Sequence, residues 1–157
     1  MKHYRTVDLA RGGLVAALYV VLTLLAQAFG LASGAVQVRL SETLCLLPCV
    51  MPAAIPGLTL GCALANLLTG CAALDTVFGT LATMIGAAGT YFLRRRPRLC
   101  WIPPVLSNTL IVPVVLARVY GITTAWYLLA LSVCAGELIA CAALGWIPLR
   151  VAERILK

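Results

Sequence analysis

Charged residues cut this chain of 157 amino acids into a few long apolar stretches. The uncharged runs cover 12–38, 43–74, 76–93, 99–117 and 119–136, and the last resumes beyond Glu137 to Leu149. An α-helix needs about 20 apolar residues to cross a bilayer, so the runs read as membrane spans. The first predicts a helix near 12–30. The second is too long for one span: 32 residues at 1.5 Å each make roughly 48 Å, against a hydrocarbon core of about 30 Å. Pro48, Pro52, Pro56 and Gly57 also interrupt it. Two short spans near 42–55 and 57–72 fit better, with a tight turn at Ile55-Pro56-Gly57. The remaining runs predict spans near 76–93, 99–117 and 125–148. The expectation is an all-α integral membrane protein with six transmembrane helices in a single domain, 1–157.

Composition agrees. Only 11% of residues are charged and 62% are hydrophobic, whereas a soluble domain carries about 25% charge. The net charge of +7 invites a nucleic-acid reading, but its distribution argues for topology instead. Arg94, Arg95, Arg96 and Arg98 form one cluster, and most other basic residues lie near the termini. With six spans and the N-terminus inside, all of these fall in the cytoplasm and only Arg39 and Arg118 face out. A single span over 43–74 would export the arginine cluster, against the positive-inside rule. Both termini are therefore expected to be cytoplasmic. Lys2, Arg5 and Arg11 ahead of Ala26-Gln27-Ala28 imitate a secretory signal, yet the run from Gly12 to Ala32 is long enough to span and is expected to be retained.

In this topology the connections near 31–41, 72–76 and 118–125 share the outer end, and they gather most of the scarce polar side chains. Arg39 and Glu42 flank the second span; they read either as a solvated pair or as part of a site. Glu137 lies halfway along the sixth span, where a charge costs about 2.5–3.5 kcal/mol to insert, so it should face the bundle interior or a wet cavity. Asn66 and Asn108 can bind a ligand or hold helices together. Asp75 can cap its helix or serve the site. Trp126 reads as an interfacial anchor or a stacking surface.

Other features narrow the function. Seven cysteines sit in apolar runs without a CxxC pattern, and the single histidine, His3, lies in the charged N-terminal tail. They read as small packing residues, with no metal, no cofactor and no catalytic residue expected. Gly12 with Ala16, and Gly13 with Ala17, make small-residue pairs that permit close helix approach. No G-x-x-x-x-G-K-[ST] loop is present. A polar cavity without its own energy source suggests a partner that supplies one.

The segments AALYVVLTLL, VQVRLSETLCLLP, MPAAIPGLTLGCALANLL, LDTVFGTLAT, PPVLSNTLIV and SVCAGEL follow one another from about residue 10 to 150. Together they resemble the QueT family of queuosine-precursor transporters, substrate-binding S components of energy-coupling factor (ECF) transporters. The resemblance implies a six-helix bundle with a pocket that opens outside under the loop between spans one and two. It also implies an ECF transmembrane coupling protein and two cytoplasmic ATPases as partners. Gly12, Gly13, Ala16 and Ala17 occupy the region of the usual coupling surface, although the commonly described alanine pair is not cleanly reproduced. The implied ligand is a 7-deazaguanine derivative or queuine. Residue chemistry then assigns Glu137 or Glu42 to its N–H edge, Asn66 and Asn108 to carbonyl and ring nitrogens, Trp126 to stacking and Asp75 to a cationic aminomethyl group. Gln37 and Arg39 complete the expected substrate-binding set. An S component for another vitamin-like micronutrient, a self-sufficient carrier, and a membrane-embedded enzyme using Glu137 and Asp75 are the alternatives.

Overall fold

The computed structural model of the protein describes residues 6–30 and 39–156. Its elements run α1 (Thr6–Ala28), a 3-10 helix (Leu40–Cys49), α2 (Ala54–Leu68), α3 (Ala73–Phe92), a short 3-10 turn (Pro97–Leu99), α4 (Ile102–Val119), α5 (Trp126–Glu137), a π-helical segment (Leu138–Leu144) and α6 (Trp146–Ile155). The described residues form no strand. Among the described residues, three stretches are long and apolar enough to cross a membrane: Thr6–Ala28, Pro97–Val119 and Trp126–Ile155. Leu14, Leu18, Val21 and Leu25 on α1 are exposed, as are Leu60, Leu64 and Leu67 on α2. A soluble monomer rarely leaves such continuous apolar surface bare. The architecture is an all-α membrane bundle.

Glycines set how closely the helices approach. A methyl group on Gly57 would stand 2.5 Å from the Gly12 carbonyl oxygen, and one on Gly61 would stand 2.8 Å from Tyr19 Cβ and 2.9 Å from the Ala16 carbonyl oxygen. Gly12 and Ala16 thus meet Gly57 and Gly61 in the same order, which makes α1 and α2 parallel. On the other side, a Cβ on Gly86 of α3 would fall 2.7 Å from Pro104 Cα of α4. Small residues are what allow backbones this near each other without a side chain between them.

The second apolar run differs from expectation in detail. The chain turns at 50–53 rather than at Ile55-Pro56-Gly57, and α2 already begins at Ala54. Pro56 then falls in the first turn of α2, where a missing N–H leaves no intrahelical bond unmade. The preceding segment is a 3-10 helix of 10 residues, with Pro48 inside it. At about 2.0 Å per residue it extends roughly 20 Å, about the length that the α-helix expected over 42–55 would have at about 1.5 Å per residue. The last run also continues further than expected, to Ile155, as one helical path of 30 residues interrupted by its π-helical segment.

Two helix ends close on glycines in left-handed backbone. Gly30 and Gly70 have φ of +69° and +72°, the left-handed conformation that glycine adopts without a Cβ clash. At the end of α2, Cys71 N–H donates to the Asn66 carbonyl and Gly70 N–H to the Leu67 carbonyl. This is the six-to-one and five-to-two pairing of a Schellman cap. It fixes Asn66 and Cys71 at the same end of the bundle.

Candidate functional site

A cavity of about 170 Å³ opens at the end of the bundle opposite the arginine-rich α3–α4 connection. The C-terminal parts of α1, α2 and α4 reach it, as do the starts of the 3-10 helix and α3, and α5. Its polar lining includes Arg39, Ser41, Asn66, Asp75 and Glu137, while Ala26, Val112, Leu116 and Val133 supply apolar wall. Arg39, Asn66, Asp75 and Glu137 thus come together from four separate segments. Arg39 precedes the 3-10 helix in extended backbone, at φ −90° and ψ 96°, and interacts electrostatically with both Glu42 and Glu137. No salt bridge joins Arg39 to Glu42; among the described residues the ion pair within 4 Å is Asp8–Arg11, at 3.8 Å.

Glu137 is the strongest chemical feature of this wall. It is 2% exposed. Its Oε2 has the Cys141 thiol at 3.4 Å, one helical turn on, while Oε1 has no hydrogen-bond partner. Asn108, 0% exposed, does not line the cavity; its amide neighbours the Glu137 carboxyl without closing a full hydrogen bond to it. The Ser41 hydroxyl is likewise buried and unpartnered. Buried polar groups are nearly always satisfied, and each exception calls for a reason such as a ligand or a water molecule. Three such groups at or beside one cavity give it the character of a binding site.

Glu42 occupies a different environment. It does not line the cavity and is 0% exposed. Tyr19 Oη donates to its Oε1 at 2.5 Å and Cys45 Sγ to its Oε2 at 2.6 Å. Thr83 Oγ1 stands 3.4 Å from Oε1. These donors come from α1, the 3-10 helix and α3, so the carboxylate ties three elements together. The 3-10 geometry accounts for Cys45, because residues three apart eclipse at 3.0 residues per turn.

The other expected residues separate by location. Asp75 stands in the first turn of α3 and accepts a hydrogen bond from Tyr120 Oη at 2.8 Å. Trp126 is 50% exposed and does not line the cavity. Gln37 lies outside the described residues. Gly12 is buried against α2, where Ala16 also contacts Gly61. Gly13 and Ala17 stay exposed on the other side of α1. The small-residue pairs therefore divide between an internal seam and an outer surface.

Sequence reasoning passed over Tyr19, Ser41, Thr83 and Cys141 in this region. Tyr19 carried a legible signal, since a phenol mid-span needs a partner for its hydroxyl. Cys141 carried one too, four residues after Glu137 and hence on its face. Nothing in the chain order indicated that Thr83 would meet Glu42.

Compared with curated proteins and with solved structures, the chain matches none. Against protein families, the QueT transporter family matches residues 9–154, which include every described residue of the cavity wall. The chain belongs to the QueT transporter family.

Proposed function

We propose that the protein is the substrate-binding membrane subunit of an ECF-type importer, and that it captures a queuosine precursor, a 7-deazaguanine derivative or queuine. Family membership supports a role in membrane transport. The observation that carries the finer reading is the unpartnered Oε1 of buried Glu137 in a cavity wall, beside the unpartnered amide of Asn108. A guanine-like edge presents adjacent N–H donors together with a carbonyl acceptor, which matches a carboxylate oxygen and a carboxamide. The cavity, at about 170 Å³, is below the roughly 300–1,000 Å³ of pockets for drug-sized ligands and suits a compact heterocycle.

In this reading Glu137 holds the polar edge with Asn108 behind it, and Asn66 reaches a second one. Asp75 faces a cationic substituent. Val112, Leu116 and Val133 cover the flat faces, a role that Trp126 is too exposed to fill. Arg39 offsets the charge of the acids. Glu42 with Tyr19 braces the floor rather than touching the ligand. The chain crosses the cell membrane six times with both ends in the cytoplasm, and the cavity opens outside. An ECF transmembrane coupling protein and two cytoplasmic ATPases drive the cycle, with the exposed Gly13–Ala17 face of α1 as the docking surface.

Mass spectrometry of the small molecule that co-purifies with the protein in detergent tests the ligand. A deazaguanine mass is expected; a thiamine- or flavin-like mass overturns the substrate and keeps the transport role. Uptake into liposomes tests the coupling. Transport by the chain alone, without ATP or partner, overturns the ECF reading.

A further inference from the structure

Behind the cavity wall, two cysteines far apart in sequence meet beside a carboxylate. A carboxylate oxygen of Glu42 and the Sγ atoms of Cys45 and Cys141 all lie within 4.8 Å of one another, and all three residues are buried. Glu42 and Cys45 project together because they are three residues apart on a 3-10 helix. Cys141 arrives from the π-helical segment, its sulfur 3.4 Å from the Glu42 carbonyl oxygen and 3.4 Å from Glu137 Oε2. One S–H serves only one of these acceptors at a time. The other oxygen of Glu137 is unpartnered although the residue is 2% exposed.

We infer that Glu42, Cys45 and Cys141 form a binding site for a single thiophilic divalent cation of the Zn²⁺ or Cd²⁺ class, with a solvent oxygen as the fourth donor. The protein's donor set is two sulfurs and one carboxylate oxygen, which suits a borderline-soft, tetrahedral ion rather than Ca²⁺ or Mg²⁺, whose ligands are oxygens. The ion takes the place of the thiol protons, so binding releases protons to solvent. In sequence, Cys45 pairs most naturally with Cys49 at helical spacing; the fold turns Cys45 to Cys141 instead. This site is independent of which solute the cavity takes.

Titration of the purified full-length chain with Cd²⁺ tests the inference through the ultraviolet thiolate-to-metal charge-transfer band. The band is expected to saturate at one ion per chain and to disappear when Zn²⁺ displaces Cd²⁺. Cys45→Ala and Cys141→Ala each weaken binding at least tenfold, while Cys49→Ala and Cys134→Ala leave it unchanged. Loss of the band in Cys49→Ala, or its persistence in the Cys45→Ala/Cys141→Ala double variant, overturns the site. X-ray absorption at the zinc edge of the unmutated protein gives an answer that does not depend on the variants folding. A shell of two sulfurs near 2.3 Å and two oxygens near 2.0–2.2 Å is expected. A shell without sulfur, or no retained ion, overturns it.

Discussion

Glu42 and Glu137 are both carboxylates buried in an apolar chain, and their surroundings assign them different work. Glu42 has donors from three elements on its two oxygens. Glu137 has a single thiol on one oxygen and nothing on the other, in the wall of a cavity. A buried acceptor whose bonds are filled within the protein stabilises the fold, because each charge-assisted bond is worth about 1.5–3 kcal/mol and replaces water. One that is left open contributes little to the fold and is ready to receive a donor from outside. Burial alone does not distinguish the two; the count of satisfied bonds does.

Three substitutions can break or sharpen this contrast. The largest effect is expected at Glu42. Glu42→Ala leaves Tyr19 Oη without its acceptor and opens a void, so stability falls by about 3 kcal/mol. Thermal unfolding in detergent measures it, and an unchanged midpoint removes Glu42 from the structural role. Next comes Glu137→Gln, which keeps the shape and replaces one carboxyl oxygen by an amide NH2 that can only donate. Ligand affinity by calorimetry is expected to drop ten- to a hundredfold, about 1.4–2.8 kcal/mol, while the unfolding midpoint stays close to that of the parent. Equal affinity in a well-folded sample ends the assignment of Glu137 as the ligand's acceptor. The smallest effect belongs to Tyr19→Phe. It deletes one donor to Glu42 and costs about 1–2 kcal/mol of stability, with affinity unchanged. A double-mutant cycle with Glu42→Gln should return a coupling on the order of 1 kcal/mol, and additivity would show that the 2.5 Å contact carries no energy of its own.

The small-residue seams extend the lesson to packing. Gly12 and Gly13 are adjacent and chemically identical, and in sequence each pairs equally well with an alanine four residues on. In the fold Gly12 closes on α2, whereas nothing lies within 4 Å of a Cβ placed on Gly13. A helix turns 100° per residue, so neighbours necessarily face different ways, and which one faces inward depends on where α2 lies. The same limit explains the shifted turn near Pro52 and Pro56. Four breakers in a row announce a turn without fixing its place, because a proline in the first turn of a helix is as acceptable as one in the loop.

By itself, the sequence determined the solvent this chain lives in and the class of its fold. Long uncharged runs leave helices as the way to satisfy every backbone group in lipid, and the rarity of polar residues marked Glu137, Asn108, Asn66 and Asp75 as requiring explanation. Tertiary structure decided which of those groups have their bonds filled. Tyr19, Glu42 and Thr83 meet across separations of 23 and 41 residues, and Cys141 reaches Glu42 across 99. Hydrogen bonds act over about 3 Å of space whatever the distance along the chain. Local pattern therefore revealed that polar groups were buried, while only packing revealed which of them were still waiting for a partner.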